Sequence, residues 1–281
     1  MRKLLGITFS IVLLLSATSI FAAGPTFYNI DVPGAGFTFP YGINAQGEIV
    51  GFYDDANGEH GFLLSHGQFT TIDFPGAPYT DLNDINPIGE IVGAAWLPPD
   101  YFGNPFLVRK GQLTNIDLPP GVPGANPLGV NARGEIVGGY GGRHGFLLSM
   151  GKFITIDVPG SSLTFAQRNN DKGDIVGLFC DTQACADDFT VGAHGYLLSK
   201  GKFTTINVPG ATVTHCLDVN NKGEIVFWND TGHGYLLSDG KFIAIDGPGA
   251  VYTQTNGIND RGDIVGFYCD PSACHGYLLS R

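Results

Sequence analysis

The motif Asn-x-x-Gly-[Glu/Asp]-Ile-Val occurs six times in this chain: NAQGEIV (44–50), NPIGEIV (86–92), NARGEIV (131–137), NDKGDIV (170–176), NNKGEIV (220–226) and NDRGDIV (259–265). Its glycines, Gly47, Gly89, Gly134, Gly173, Gly223 and Gly262, are spaced 42, 45, 39, 50 and 39 residues apart. Periods of this size mean a repeat architecture, in which each unit buries its apolar face against its neighbours.

Each copy reads as four strands. Asn at the first motif position and Gly at the fourth suit a type I turn that ends in the left-handed region. The turn joins strand a to strand b through the apolar pairs Ile43/Ile49, Ile85/Ile91, Val130/Ile136, Val219/Ile225 and Ile258/Ile264, whereas the fourth copy sets Asn169 opposite Ile175. A second hairpin, GFLLS-HG-QFTTI in the first copy, joins strands c and d. Its two-residue turns are His66-Gly67, Lys110-Gly111, Met150-Gly151, Lys200-Gly201 and Asp239-Gly240. Such turns favour the primed types that match strand twist. The order a–b–c–d is an antiparallel meander.

The two-residue turn also sets register. It places His60 opposite Asp73, His144 opposite Asp157, His233 opposite Asp246, His194 opposite Asn207 and Asn104 opposite Asp117. Five of the 7 histidines fill this one position. A His–Asp dyad or a metal site is needed once, and copies spread around a ring do not converge on one ion. The pairs are therefore read as structural ties between strands c and d. No catalytic set, metal site or cofactor site is read from the sequence.

The sixth copy supplies strands a, b and c, and the chain ends at Ser280-Arg281. The missing piece stands near the other end. TFYNIDVPGAG (26–36) is a strand d with no strand c before it, with Phe27 matching Phe69 and Asp31 matching Asp73. His275 is then expected opposite Asp31. The prediction is an all-β fold, a six-bladed β-propeller of four-stranded antiparallel blades, its last blade closed by the N-terminal strand. A parallel β-helix would lack the antiparallel hairpins. A pair of β-trefoils would leave the displaced strand unexplained.

The recurring string GIN-x-x-G-x-IVG … HGFL … G-x-x-T-x-ID-x-PGA over residues 27–281 resembles the HAF-type extracellular repeat of secreted bacterial proteins. The second copy departs from it with NPFLV (104–108), and the fifth with Phe227 in place of Gly. The resemblance implies secretion and repeat architecture. It implies no activity and no functional residues.

Residues 1–23 read as a signal peptide: Arg2 and Lys3, an apolar run from Leu4 to Leu15, then small residues at Ala22–Gly24. The run is interrupted by Gly6, Thr8 and Ser10 and falls short of the ~20 residues of a membrane span. Residues 24–281 are expected to form one propeller domain, a monomer exported to the periplasm or the extracellular medium and not inserted in the membrane. A net charge of −11 without a Lys/Arg cluster argues against nucleic acid as a partner.

Two faces of such a ring differ. The a–b and c–d turns form one. The b–c loops vary in length and sequence and form the other, where binding residues are expected. Trp96, Tyr101 and Trp228 lie outside the repeat consensus and are candidate stacking platforms. Tyr53, Tyr140 and Tyr268, at strand ends, are further candidates whose other role is packing between blades. Asp54, Asp55, Asn57 and Glu59 lack the ordered spacing of a calcium loop and read as a solvated loop. Cys180/Cys185 and Cys269/Cys274 share the spacing C-x4-C in equivalent b–c loops and read as two local disulfides, with Cys216 left as a free buried thiol. Gln167, Arg168 and His215 are polar residues that break the repeat on inner strands. These features suggest a secreted binding or scaffold module for a glycan or an extracellular protein. The alternative is a carbohydrate-active propeller enzyme, either a lyase or a glycosidase; no unique acid–base motif marks one.

Overall fold

The computed structural model describes residues 25–97, 103–122 and 124–281. The signal-peptide reading and Tyr101 lie outside the described residues. Within them are 24 strands and one short helix, Gln183–Asp187. No described helix is long and apolar enough to cross a membrane.

The strands form six four-stranded antiparallel meanders. The innermost strands, a, are Phe37–Ile43, Tyr79–Ile85, Ala125–Val130, Leu163–Asn169, Thr214–Val219 and Tyr252–Ile258. The first two meanders are joined by a single parallel bridge, Glu59 to Tyr79. The sixth has strand order Thr26–Ile30, Cys274–Ser280, Ile264–Cys269, Tyr252–Ile258. The N-terminal segment is thus its outer strand, with Phe27 opposite Leu279 and Ile30 opposite Gly276.

The turns follow their residues. In all five c–d turns both central residues have positive φ, as at His66 (52°) and Gly67 (76°), which is the primed geometry that suits a hairpin. In the a–b turns the glycine N–H returns to the Asn carbonyl, at 3.0 Å for Gly47 and Asn44. The Asn side chain does more. Asn44 Oδ1 accepts from the backbone N–H groups of Gln46 and Glu48, both at 3.0 Å. Its Nδ2 donates to the Glu48 carboxylate at 2.8 Å and to the carbonyl of Asn86 in the next sheet at 3.3 Å. The Glu48 carboxylate also accepts from Ser65 Oγ at 2.9 Å, which ties in the end of strand c. The separated motif residues Asn, Glu and Ser therefore form one hydrogen-bonded unit.

The core lies between sheets, where strand-c aromatics Phe62, Phe106, Phe146, Tyr196 and Tyr277 are fully buried. Each faces the glycine that ends Ile-Val-Gly. A Cβ on Gly93 would stand 2.5 Å from Phe106 Cζ, so the ring requires glycine there. The fifth copy exchanges the partners: Phe227 replaces the glycine and is fully buried, and Tyr235 is displaced to a half-buried position.

Candidate functional site

Every inner strand carries a register shift before its last two or three residues: between Pro40 and Gly42, Leu82 and Asp84, Pro127 and Gly129, Ala166 and Arg168, Cys216 and Asp218, and Thr255 and Gly257. A bulge of this kind puts two residues against one and re-aims side chains. The extra residues, Tyr41, Asn83, Leu128, Gln167, Leu217 and Asn256, line a cavity of about 210 Å3 around the axis.

The next position reads Gly42, Asp84, Gly129, Arg168, Asp218, Gly257 around the ring. At the three glycines neighbouring inner strands press close: a Cβ on Gly42 would stand 2.9 Å from Asp84 Cα, one on Gly129 2.9 Å from Arg168 Cα, and one on Gly257 2.6 Å from the Tyr41 carbonyl oxygen. Arg168 is only 6% exposed. Its guanidinium donates to the carbonyls of Asn83 (2.6 Å), Gln167 (3.1 Å), Tyr41 (3.4 Å) and Leu128, gathering four inner strands. Nε lies 3.6 Å from Asp84 Oδ1. Asp84 also accepts from the N–H of Val130, and Asp218 from that of Ile258, both at 2.8 Å. Burial raises both carboxyls and the Arg168 charge opposes that rise; Asp218 is pushed up to about 7. Arg168 stops the channel.

Toward the b–c loops the small cavity opens into a larger one of about 690 Å3, sharing Tyr41, Trp96, Asn126, Leu128 and Gln167 with it. Its wall is aromatic: Trp96, Phe165, Phe189 and His215. Tyr140 borders it, but its ring packs on His144 and Phe153 and its Oη bonds Thr155 Oγ1 at 2.7 Å. Phe189 comes from the long loop between Cys180 and His194. That loop is held by the Cys180–Cys185 disulfide, by the contact of His215 Nε2 with the Phe189 carbonyl at 3.0 Å, by the Thr214 N–H on the Ala193 carbonyl at 2.9 Å and by the Arg143–Asp187 ion pair at 3.0 Å. A carbonyl only accepts, so Nε2 carries the ring proton. Burial pushes the His215 imidazole down to about 4, leaving it uncharged at neutral pH. Its ring also packs 4.6 Å from that of Trp228. Across the mouth, Phe37, Phe39, Phe52 and Phe267 fill the space instead, with Phe39 and Phe267 centroids 4.5 Å apart. The opening is therefore one-sided.

Asp81 lies on the wall of the smaller cavity and shares a hydrogen bond with Glu59. Burial and then the Glu59 charge push the Asp81 carboxyl up to about 8. Glu59 is raised too, first by burial.

The residues singled out in the sequence separate into groups. Trp96, Gln167 and His215 line the large cavity, Tyr140 borders it with its ring packed on His144, and Arg168 lies beneath it. Trp228 stands behind the wall, its Nε1 donating to Tyr252 Oη at 2.7 Å. Tyr53 bonds Thr71 and stacks on His60, while Tyr268 is buried and bonds Asn29. The histidine position is at the rim: His60–Asp73 and His144–Asp157 are 2.9 Å apart, His233–Asp246 2.7 Å, His275–Asp31 3.0 Å, and His194–Asn207 3.3 Å. Cys180–Cys185 and Cys269–Cys274 are disulfides, and Cys216 is free and buried. Asp55 caps its own turn by accepting from Asn57 N–H at 2.6 Å. Among the described residues no cluster of His, Cys, Asp and Glu could hold a metal ion. The cavity residues Tyr41, Asp81, Asn126, Phe165 and Phe189 were not anticipated. All but Phe189 stand three or five positions before the repeat Asn, and comparison of those positions between copies was the available signal.

Sheets packed around a stopped axial channel, with a cavity on the face of long loops, define a β-propeller. Solved structures similar to this chain are also propellers. The β-propeller domain of the Trilobed protease from Pyrococcus furiosus, described as having an open velcro topology, matches with TM-score 0.51 and 10% identity over 86% of this chain and 95% of that one. TolB from Acinetobacter baumannii matches with TM-score 0.52 and 12% identity over 88% of this chain, which spans 55% of TolB. A chain of a nidogen/laminin complex matches with TM-score 0.51 and 8% identity over 79% of this chain and 85% of that one. At such identities the likeness shows the fold alone. No family model and no curated protein matches the chain.

Proposed function

We propose that this chain is an exported, monomeric binding module that engages a glycan or an extracellular protein through its b–c loop face. The observation that carries the reading is the one-sided aromatic cavity on that face, whose wall residue Phe189 sits on a disulfide-pinned loop. Concave aromatic sites with a few polar groups are the usual form of a ligand site. The two disulfides and the HAF-like repeat support export. An enzyme reading would rest on Glu59 and Asp81. Their direct hydrogen bond leaves no space between them for a glycosidic bond, which needs carboxyls at least about 5 Å apart. The test is a glycan array and a panel of purified extracellular matrix and envelope proteins, probed with oxidised residues 24–281 and with its Trp96→Ala variant. Binding that weakens in the variant is expected. Binding to neither panel, or binding indifferent to every change on this face, overturns the reading.

A further inference from the structure

We infer that the cavity between Trp96, Phe165, Phe189 and His215 takes the end of an uncharged glycan, with its apolar faces on the rings and its hydroxyls on the amides of Asn126 and Gln167. This rests on the binding-module reading and narrows it to one ligand class and one place on the face.

Three observations select that ligand. The first is charge. Among the described residues lining the larger cavity there is no Asp, Glu, Lys or Arg, and its histidine is neutral. The Arg168 charge beneath is covered by four carbonyls and Asp84. An ionic ligand would lose its hydration here and gain no counter-charge.

The second is the polar inventory. The Gln167 side chain is half-buried and makes no hydrogen bond to the described residues, while its backbone carbonyl is engaged by Arg168. Asn126 Oδ1 accepts from Asn83 at 3.0 Å, which leaves the Asn126 NH2 directed to other partners. A carboxamide both donates and accepts. Sugar hydroxyls do the same, and sugar C–H faces suit aromatic rings. A purely apolar ligand would leave these amides unsatisfied on desolvation.

The third is the floor. Because Arg168 and the bulge carbonyls stop the channel, nothing threads through it. A chain can enter only by an end or a branch from the loop side.

The experiment titrates oxidised protein with short neutral oligosaccharides of glucose, mannose, xylose or N-acetylglucosamine, with oligogalacturonates, and with an uncharged aromatic peptide, following tryptophan fluorescence and calorimetry. The variants are Gln167→Ala and Phe189→Ala, with Lys172→Ala on the opposite face as control. Gln167 has no side-chain bond to lose and Phe189 is 45% exposed, so both variants keep the fold. A neutral oligosaccharide is expected to bind, with affinity falling about tenfold or more in each cavity variant and unchanged in the control. Preference for the oligogalacturonates or the peptide, or no binding of any sugar, overturns the inference. Neutral-sugar binding that survives both cavity variants and fails with Trp228→Ala overturns it while leaving the wider binding reading intact.

Discussion

Asn259 Nδ2 donates to the carbonyl of Asn44 at 3.1 Å, across 215 positions of sequence. The same bond runs from Asn44 to Asn86, Asn86 to Asn131, Asn131 to Asn170, Asn170 to Asn220 and Asn220 to Asn259. Six equivalent asparagines thus form a closed circuit around the axis. Because Asn259 also accepts from the N–H groups of Arg261 and Asp263, Asn259→Ala strands several buried groups. The expected loss is about 2–3 kcal/mol, read as a lower urea midpoint. Asn131→Ala should match it, since the two sites are equivalent.

The segment Thr26–Ile30 is the outer partner of Cys274–Ser280. Deleting residues 26–31 leaves that strand with a free edge and His275 without Asp31. Free edges recruit other chains. Light scattering should show self-association and denaturation a weaker fold. A shortened protein that stays monomeric and equally stable would contradict the role assigned to this strand.

Among the described residues Arg168 is the single buried cation of the axis, facing Asp84 and within the field of Asp218. Arg168→Met leaves two buried carboxyls without their counter-charge and should cost about 3–5 kcal/mol. Adding Asp84→Asn and Asp218→Asn should restore part of the loss. A triple variant no better than the single one would show that the carbonyl contacts, not the charges, dominate.

The His–Asp pairs are exposed, with His144 and Asp157 side chains at 49% and 39% and His233 and Asp246 both at 52%. Solvent screens such pairs. His144→Ala and His233→Ala should each change stability by no more than about 1 kcal/mol. Ligand binding should survive both. Loss of an activity in one variant alone, at unchanged stability, would make that histidine functional.

Asp81 has the opposite sign from an ordinary paired carboxylate. Its folded value, about 8, lies above the usual 3.8, so between these pH values the folded chain holds a proton that the unfolded chain has released. Its contribution therefore falls as pH rises through that window. Glu135, Glu224 and Asp263, held below their usual values by hydrogen bonds and nearby arginine or lysine charges, act the other way and lose stability only as pH falls through their folded values. Urea midpoints from pH 4 to pH 8 should decline less steeply in Asp81→Asn than in the parent. Parallel profiles would mean that Asp81 is ionised in the folded state.

The repeat by itself determined the strands, the turns and the register. Asn-x-x-Gly and x-Gly turns have few backbone solutions, and a two-residue turn leaves one alignment for its arms. The displaced strand d and the His–Asp pairs are legible for the same reason: each follows from local hydrogen-bond geometry copied several times. Tertiary structure decided which residues face the axis. The bulge in every inner strand turns Gln167 and Arg168 to the channel together, against strict alternation. Only assembly of the ring shows that Gly42, Gly129 and Gly257 stand where neighbouring strands press close, or that Phe189, from a loop extension with no repeat counterpart, packs beside His215 and lines one cavity with Trp96. Those contacts join separate blades, and their chemistry lies where the copies differ, so no periodicity announces it.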